Sequence, residues 1–114
     1  MEKGITYTGL ADQHKEELEE KLMNVMDTEI GLDIVNLGLI YGINLDADGV
    51  CTVRLTFTGA GCSCSEHILK GVHEQLEPLA FINEVEITIV WSPAWVLDRI
   101  TRYGRISLGI NPGR

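Results

Sequence analysis

The sequence predicts an α+β fold. Its order is α-β-β-α-β-α, a two-layer sandwich in which a small mixed sheet carries helices mainly on one face. Three observations predict it. Two runs of alternating apolar and polar residues, 37–45 and 51–58, flank "DADG", an Asp/Gly turn, and read as an antiparallel hairpin. A helix-spaced apolar stripe follows, and then the β-rich run "EVEITIVW". A strand–helix–strand crossover is right-handed, which makes the third strand parallel to the second. The chain has 114 residues, 45% of them apolar, enough for one domain over 1–114 with a core that needs no disulfide or metal staple.

Residues 1–10 read as a loose lead-in. "DQHKEELEEKLMNVM" is helical, with Asp12 as N-cap and Leu18, Leu22, Val25 and Met26 on one face. "DTEIGLDIVNLGLIYGINLD" opens as a loop and becomes a strand whose Leu37, Leu39, Tyr41, Ile43 and Leu45 share the core parity. In the return strand Cys51, Val53, Leu55 and Phe57 point inward, and Thr52, Arg54, Thr56 and Thr58 point outward. "GAG" breaks that strand. "SEHILKGVHEQLEPLA" is the second helix, with Ile68, Leu69, Val72, Leu76 and Leu79 on its buried stripe. In the third strand Val85, Ile87, Ile89 and Trp91 share a face. "SPAW" is a turn, "WVLDRITRYGR" a short last helix, and 106–114 a C-terminal tail.

Composition narrows the function. Nine basic against 17 acidic residues give a net charge of −8, which argues against nucleic acid and against an anionic membrane surface as partners. No apolar run is long enough to span a bilayer, and "MEKGITYTGL" lacks the layout of a signal peptide, so a cytoplasmic location is expected. Three cysteines are an odd count and too few for a disulfide framework, so they read as reduced thiols.

One thiol stands where a strand hands over to a helix. In "TFTGAGCSCSEHIL", Cys62 lies at or just before the second helix's N-terminus, where unpaired N–H groups and the helix dipole favour a thiolate. Gly59 and Gly61 permit a tight turn and keep side chains off the sulfur. Such a thiol can act as nucleophile or soft-metal ligand; the alternative is a small buried filler. Cys51, mid-strand on the core parity, reads as filler. Cys62, Cys64 and His67 together offer three zinc-type ligands, but structural zinc sites draw on two separated pairs and the sequence holds one cluster. His14 and His73 read as surface residues.

Three segments resemble one family, the small iron–sulfur-cluster assembly domains of the SufT-like and PaaD-like kind, related to the thiol-bearing subunit of the eukaryotic cytosolic iron–sulfur targeting complex. "DTEIGLDIVNLGLIY" is similar to the family's D-P-E-I…I-V-x-L-G-L-[IV]-Y, "TFTGAGCS" to its T-x-T-x-x-G-C-P, and "WSPAWVLDRITRYGRISLG" to its W-x-P-x-W…D-R…R…L-G ending. Thr28 and Ser63 stand where proline is usual, Ser92 replaces a common Asp, Leu97 a common Pro, and Cys64 lies outside the pattern.

The resemblance implies a role in iron–sulfur protein maturation, as a carrier or adaptor rather than an enzyme. It implies Cys62 as the metal- or cluster-binding thiol, with Cys64 beside it. Asp27, Glu29, Thr56, Gly61, His67, Trp91 and Arg105 would line the site. A transient iron–sulfur cluster or iron is implied, with no tightly bound cofactor. The implied partners are the assembly machinery, client apo-proteins and a second copy of the chain. Trp91 and Trp95 are candidate partner anchors or lid residues. Arg99, Arg102 and Arg105 form the one local basic cluster and read as surface ion pairs. The alternatives are a thiol-dependent redox or transfer enzyme using Cys62, for which no complete catalytic constellation is visible, and a pure interaction module.

Overall fold

The sheet is built around the predicted hairpin. The computed structural model describes residues 5–27, 30–58, 65–92 and 94–109. In chain order these form β1 (Thr6–Gly9), a 3-10 segment (Leu10–His14), α1 (Lys15–Leu22), β2 (Met26–Asp27), β3 (Leu32–Asp33), α2 (Ile34–Leu37), β4 (Ile40–Leu45), β5 (Val50–Leu55), α3 (Ser65–Leu76), β6 (Glu84–Ile89), a second 3-10 segment (Leu97–Arg99) and α4 (Arg102–Leu108). The main sheet runs β1-β4-β5-β6, with β2 and β3 a separate small pair. β4 and β5 are antiparallel and β5 and β6 parallel, so the mixed α+β sheet is as expected.

One face of the sheet is covered. Ile43, Leu45, Cys51, Val53 and Leu55 are all buried there, in one core with Leu18 and Leu22 of α1 and Ile68, Val72 and Leu76 of α3. Leu69 packs against this core half-buried. Asn44, Arg54, Glu86 and Thr88 are exposed on the other face. Such one-sided burial gives antiparallel strands their alternation.

Several expectations are corrected. The lead-in contains a strand: Thr6–Gly9 pairs in parallel with β4, Thr6 opposite Gly42 through Gly9 opposite Leu45. "TYTG" lacks an apolar pattern, and the strand is recruited by β4's edge, by Thr8 Oγ1 donating to Asn44 Oδ1 at 2.8 Å and by the Tyr7 hydroxyl reaching Glu19 of α1. Asp12 is not an N-cap, because the chain passes through a 3-10 segment before α1 begins at Lys15. Leu18, Leu22 and Val25 are buried, but Met26 is 39% exposed, since the helix has ended and strand geometry turns it outward. His14 stacks on Phe81 with ring centroids 3.7 Å apart rather than standing free on the surface.

The parity drawn from 37 to 45 also breaks. Leu37 closes α2, and Gly38, at φ 77°, ends that helix in the left-handed region. A register shift between Ile40 and Gly42 then places Leu39 and Ile40 both in the core and leaves Tyr41 half-exposed. Thr56, expected outward, is 1% exposed, because the chain leaving α2 closes over it and its amide donates to Leu39 O at 2.8 Å. Along β6 Val85 is buried and Ile87 half-buried, whereas Ile89 and Trp91 are 40% and 53% exposed, so the predicted buried face is covered only at its start. The last helix is two pieces: Thr101 interrupts it and caps α4, its hydroxyl accepting from Gly104 N at 3.0 Å. The helix therefore runs into the predicted tail, to Leu108.

The C-terminal segment is stitched to α2. Asn36 is buried, donates its amide to Asp33 Oδ1 (2.8 Å) and accepts from the Thr101 hydroxyl (2.6 Å). Trp95 Nε1 donates to Leu37 O at 2.7 Å, and Arg99 Nε to Gly38 O at 2.6 Å. Removing the Asn36 amide leaves Asp33 and Thr101 short of a partner inside the protein. Asn36→Ala is expected to lower unfolding stability by about 1–3 kcal/mol. A Cβ on Gly38 would sit 2.3 Å from Arg99 O, so Gly38→Ala should cost at least about 1–2 kcal/mol of left-handed strain before that clash. Urea midpoints read at constant m value check both; an unchanged midpoint in either variant contradicts the stitching.

Candidate functional site

The exit of β5 is where the predicted site residues can be placed. Thr56, Phe57 and Thr58 carry the chain off the sheet, and α3 takes it up again at Ser65. Gly61, Cys62 and Cys64 stand between, and they, with Glu29, lie outside the described residues. Because β5 and β6 are parallel, with Leu55 opposite Ile89, both strands end at the same side of the sheet. Two residues on, the rings of buried Phe57 and exposed Trp91 meet, centroids 6.0 Å apart and inclined by 51°. An aromatic surface thus lies just past the ends of β5 and β6.

Thr56 is the unusual group here. Its Oγ1 is buried and, among the described residues, has no hydrogen-bond partner. Buried polar atoms are almost always paired, and an orphan costs about 1–3 kcal/mol.

A relay of backbone hydrogen bonds ties this exit to the β2–β3 hairpin. Thr56 N donates to Leu39 O (2.8 Å), Leu39 N to Ile34 O (3.1 Å), and Ile34 N to Val25 O (2.9 Å). Asp27 lies two residues past that last acceptor. Its side chain is buried, Oδ1 accepts from Ile30 N at 3.1 Å, and its carbonyl accepts from Gly31 N at 2.7 Å. These two bonds tie the end of β2 to the chain entering β3. Asp27 therefore has a structural role at the end of β2.

The remaining predicted residues lie elsewhere. His67 is exposed in the first turn of α3. Arg105 belongs to α4 and donates to Leu97 O at 3.4 Å. Arg99 is no surface ion pair: its guanidinium lies 4.0 Å from the Tyr41 ring centroid, and Nη2 also reaches Ile40 O at 3.3 Å. Burial lowers its pKa from the usual arginine value, against the pull of Tyr41. Sequence reading also missed the Phe57–Trp91 pair. The available signal was the parallel register, which sets 57 and 91 side by side once the crossover is assumed.

Among the described residues no three His, Cys, Asp or Glu side chains are grouped to hold a metal ion, and no helix is long and apolar enough to cross a membrane.

Comparison with known proteins gives a consistent result. The family described as iron–sulfur cluster assembly protein matches residues 15–89. The chain is 46% identical over 87 residues to the Fe-S protein maturation auxiliary factor SufT of Staphylococcus aureus (strain USA300), covering 76% of this chain and 99% of that protein. It is 41% identical over 96 residues to the Fe-S protein maturation auxiliary factor YitW of Bacillus subtilis (strain 168), covering 84% and 94%. A crystal structure of a domain of unknown function from Bacillus anthracis superposes with a TM-score of 0.81 at 35% identity, covering 88% of this chain and 95% of that one.

Cys51 gives a pH-dependent test of the site's surroundings. Burial pushes its thiol from 9.0 to about 11, so it keeps its proton where an unfolded thiol loses it. The stability this contributes is complete below the unfolded pKa and is lost as pH rises toward about 11. Cys51→Ala should therefore flatten the alkaline fall of the urea midpoint over that window. Native Cys51 should also resist iodoacetamide at neutral pH and react after unfolding, as peptide mass spectrometry reads. Modification of Cys51 in the native protein contradicts the assignment.

Proposed function

The chain belongs to the iron–sulfur cluster assembly protein family, and from that premise we propose that it is an iron–sulfur protein maturation factor of the cytoplasm. It works as a carrier or adaptor whose reactive group is the Cys62 thiol. The observation that carries this reading is the strand-to-helix handover. β5 ends at Leu55, the buried hydroxyl of the next residue, Thr56, has no partner among the described residues, the 12-residue α3 begins at Ser65, and Cys62 stands between them in the sequence. N–H groups at a helix start stabilise a thiolate, and the thiolate is the form that ligates iron.

The cluster or iron is cargo. A cluster is normally held by four cysteine thiolates, whereas one chain brings Cys62 and Cys64 to this turn. The missing ligands come from a second chain or a partner protein, with Asp27, Glu29 and His67 as the candidate oxygen and nitrogen donors of this chain. Trp91, half in solvent beside Phe57, supplies an apolar anchor for the protein that receives the cargo. Ligation completed by a partner is transient, which suits delivery rather than storage.

Cys62→Ser is expected to abolish delivery of a cluster to a cluster-dependent client enzyme while leaving the melting temperature unchanged. Cys51→Ser should retain delivery and lose about 1–3 kcal/mol of stability, because it places a hydroxyl in the core. Equal loss of delivery in both variants at unchanged melting temperature overturns the assignment. After anaerobic reconstitution with iron and sulfide, visible absorption should co-elute with a species larger than one chain. A stable cluster on a strict monomer would transfer the missing ligation to Asp27, Glu29 or His67.

A further inference from the structure

We infer that the outer edge of β6 is a self-association surface, on which a second copy of this chain adds its own β6 in antiparallel register centred on Ile87. β6 is the last strand of the sheet, and no described residue pairs with its outer side. In a parallel ladder alternate residues of a strand address the same neighbour. Glu84 N donates to Gly49 O and Val90 N to Leu55 O, so the even-numbered residues face β5. The amides and carbonyls of Val85, Ile87 and Ile89 therefore point outward as a ready template for another strand.

The side chains of the same odd residues explain why that template is not blunted. They lie on the sheet's covered side, yet α3 shields only the first of them: Val85 is buried, while Ile89 and the following Trp91 are 40% and 53% exposed. Charge, the usual protection of an edge, is confined to Glu84 and Glu86.

The charges also narrow the register. Centred on Ile87, an antiparallel pair sets Ile87 opposite Ile87, Val85 opposite Ile89, Glu86 opposite Thr88 and Glu84 opposite Val90. The outward-pointing amides then all fall on hydrogen-bonded pairs, the apolar residues form one stripe, and no glutamate faces another. Centring on Val85 or Glu86 sets glutamate against glutamate, Glu84 with Glu86 or Glu86 with itself. Closed two-fold pairing of this kind is the commonest self-association of small soluble domains.

This contact goes beyond the maturation reading and does not depend on it. It places Trp91 opposite residue 83 of the second copy, so the two Trp91 ends lie eight residues, about 26 Å, apart along the strands. It is therefore not the contact through which two chains would share one cluster, and it can be tested on metal-free protein.

The experiment is sedimentation velocity of the metal-free full chain over a concentration series, with Thr88 as the probe. Thr88 is exposed and its amide faces β5, so substitution leaves the core untouched. Thr88→Lys places a cation opposite Glu86 at two symmetric positions and should tighten dimerisation about three- to tenfold; Thr88→Glu should weaken it by a similar factor. Ile87→Pro removes an outward N–H and a half-buried side chain and should abolish the dimer, with circular dichroism and the urea midpoint confirming that the fold survives the lost packing. A chain that stays monomeric at every concentration even as Thr88→Lys overturns the proposal. So does a dimer indifferent to the Thr88 charge, which would lie on another face, and so does weakening by Thr88→Lys, which would mean Thr88 faces itself.

Discussion

The seat that α2 offers to the C-terminal segment is the constraint on which the rest of this structure depends. A four-residue helix has almost no stability of its own. Its carbonyls, and those just beyond it, need donors once buried. They find them in residues some sixty positions later: Thr101 N reaches Asn36 O, Trp95 Nε1 reaches Leu37 O, and Arg99 spans Gly38 O and Ile40 O. Asn36 closes the seam from the other side, holding Asp33 and Thr101 at once. Gly38 and Gly104 are the two places where a side chain would prevent the approach, through Arg99 O at 2.3 Å and the Leu32 side chain at 2.8 Å.

That seam has consequences at the strand exit. With α2 held, Leu39 N bonds back to Ile34 O and Thr56 N bonds to Leu39 O, so the end of β5 is drawn beneath the chain that leaves the helix. Thr56 is buried by this closure, and its hydroxyl is left without a partner among the described residues. The fold thus places, at the end of β5, a polar group without a partner among the described residues.

Protection is uneven across the sheet. α1 and α3 pack together over β4, β5 and the start of β6, and the apolar residues there are almost fully buried. Towards Ile89 and Trp91 the cover runs out, on the side of the sheet where β5 delivers its chain to α3. Exposed apolar surface and the exit of β5 lie at one end of the sheet, the end suited to meeting other proteins.

The sequence by itself determined the α+β class, the hairpin, the parallel crossover, the inward parity of Cys51, Val53, Leu55 and Phe57, and the stripe of α3. Each is a local pattern read out by one-sided burial, which is why period alone sufficed. Cys62 was singled out by a local pattern, a glycine break between a strand and a helix, and lies outside the described residues. What only the tertiary structure decided depends on pairings between distant residues. β1 exists because β4 has an edge to fill. Asn36 and Arg99 are structural because Thr101, Tyr41 and the end of α2 come to them. Thr56 is buried, and Ile89 and Trp91 exposed, because of which elements close over each strand end. Alternation states which way a side chain points, whereas burial depends on what arrives to cover it, and that is set by chain segments far away in sequence.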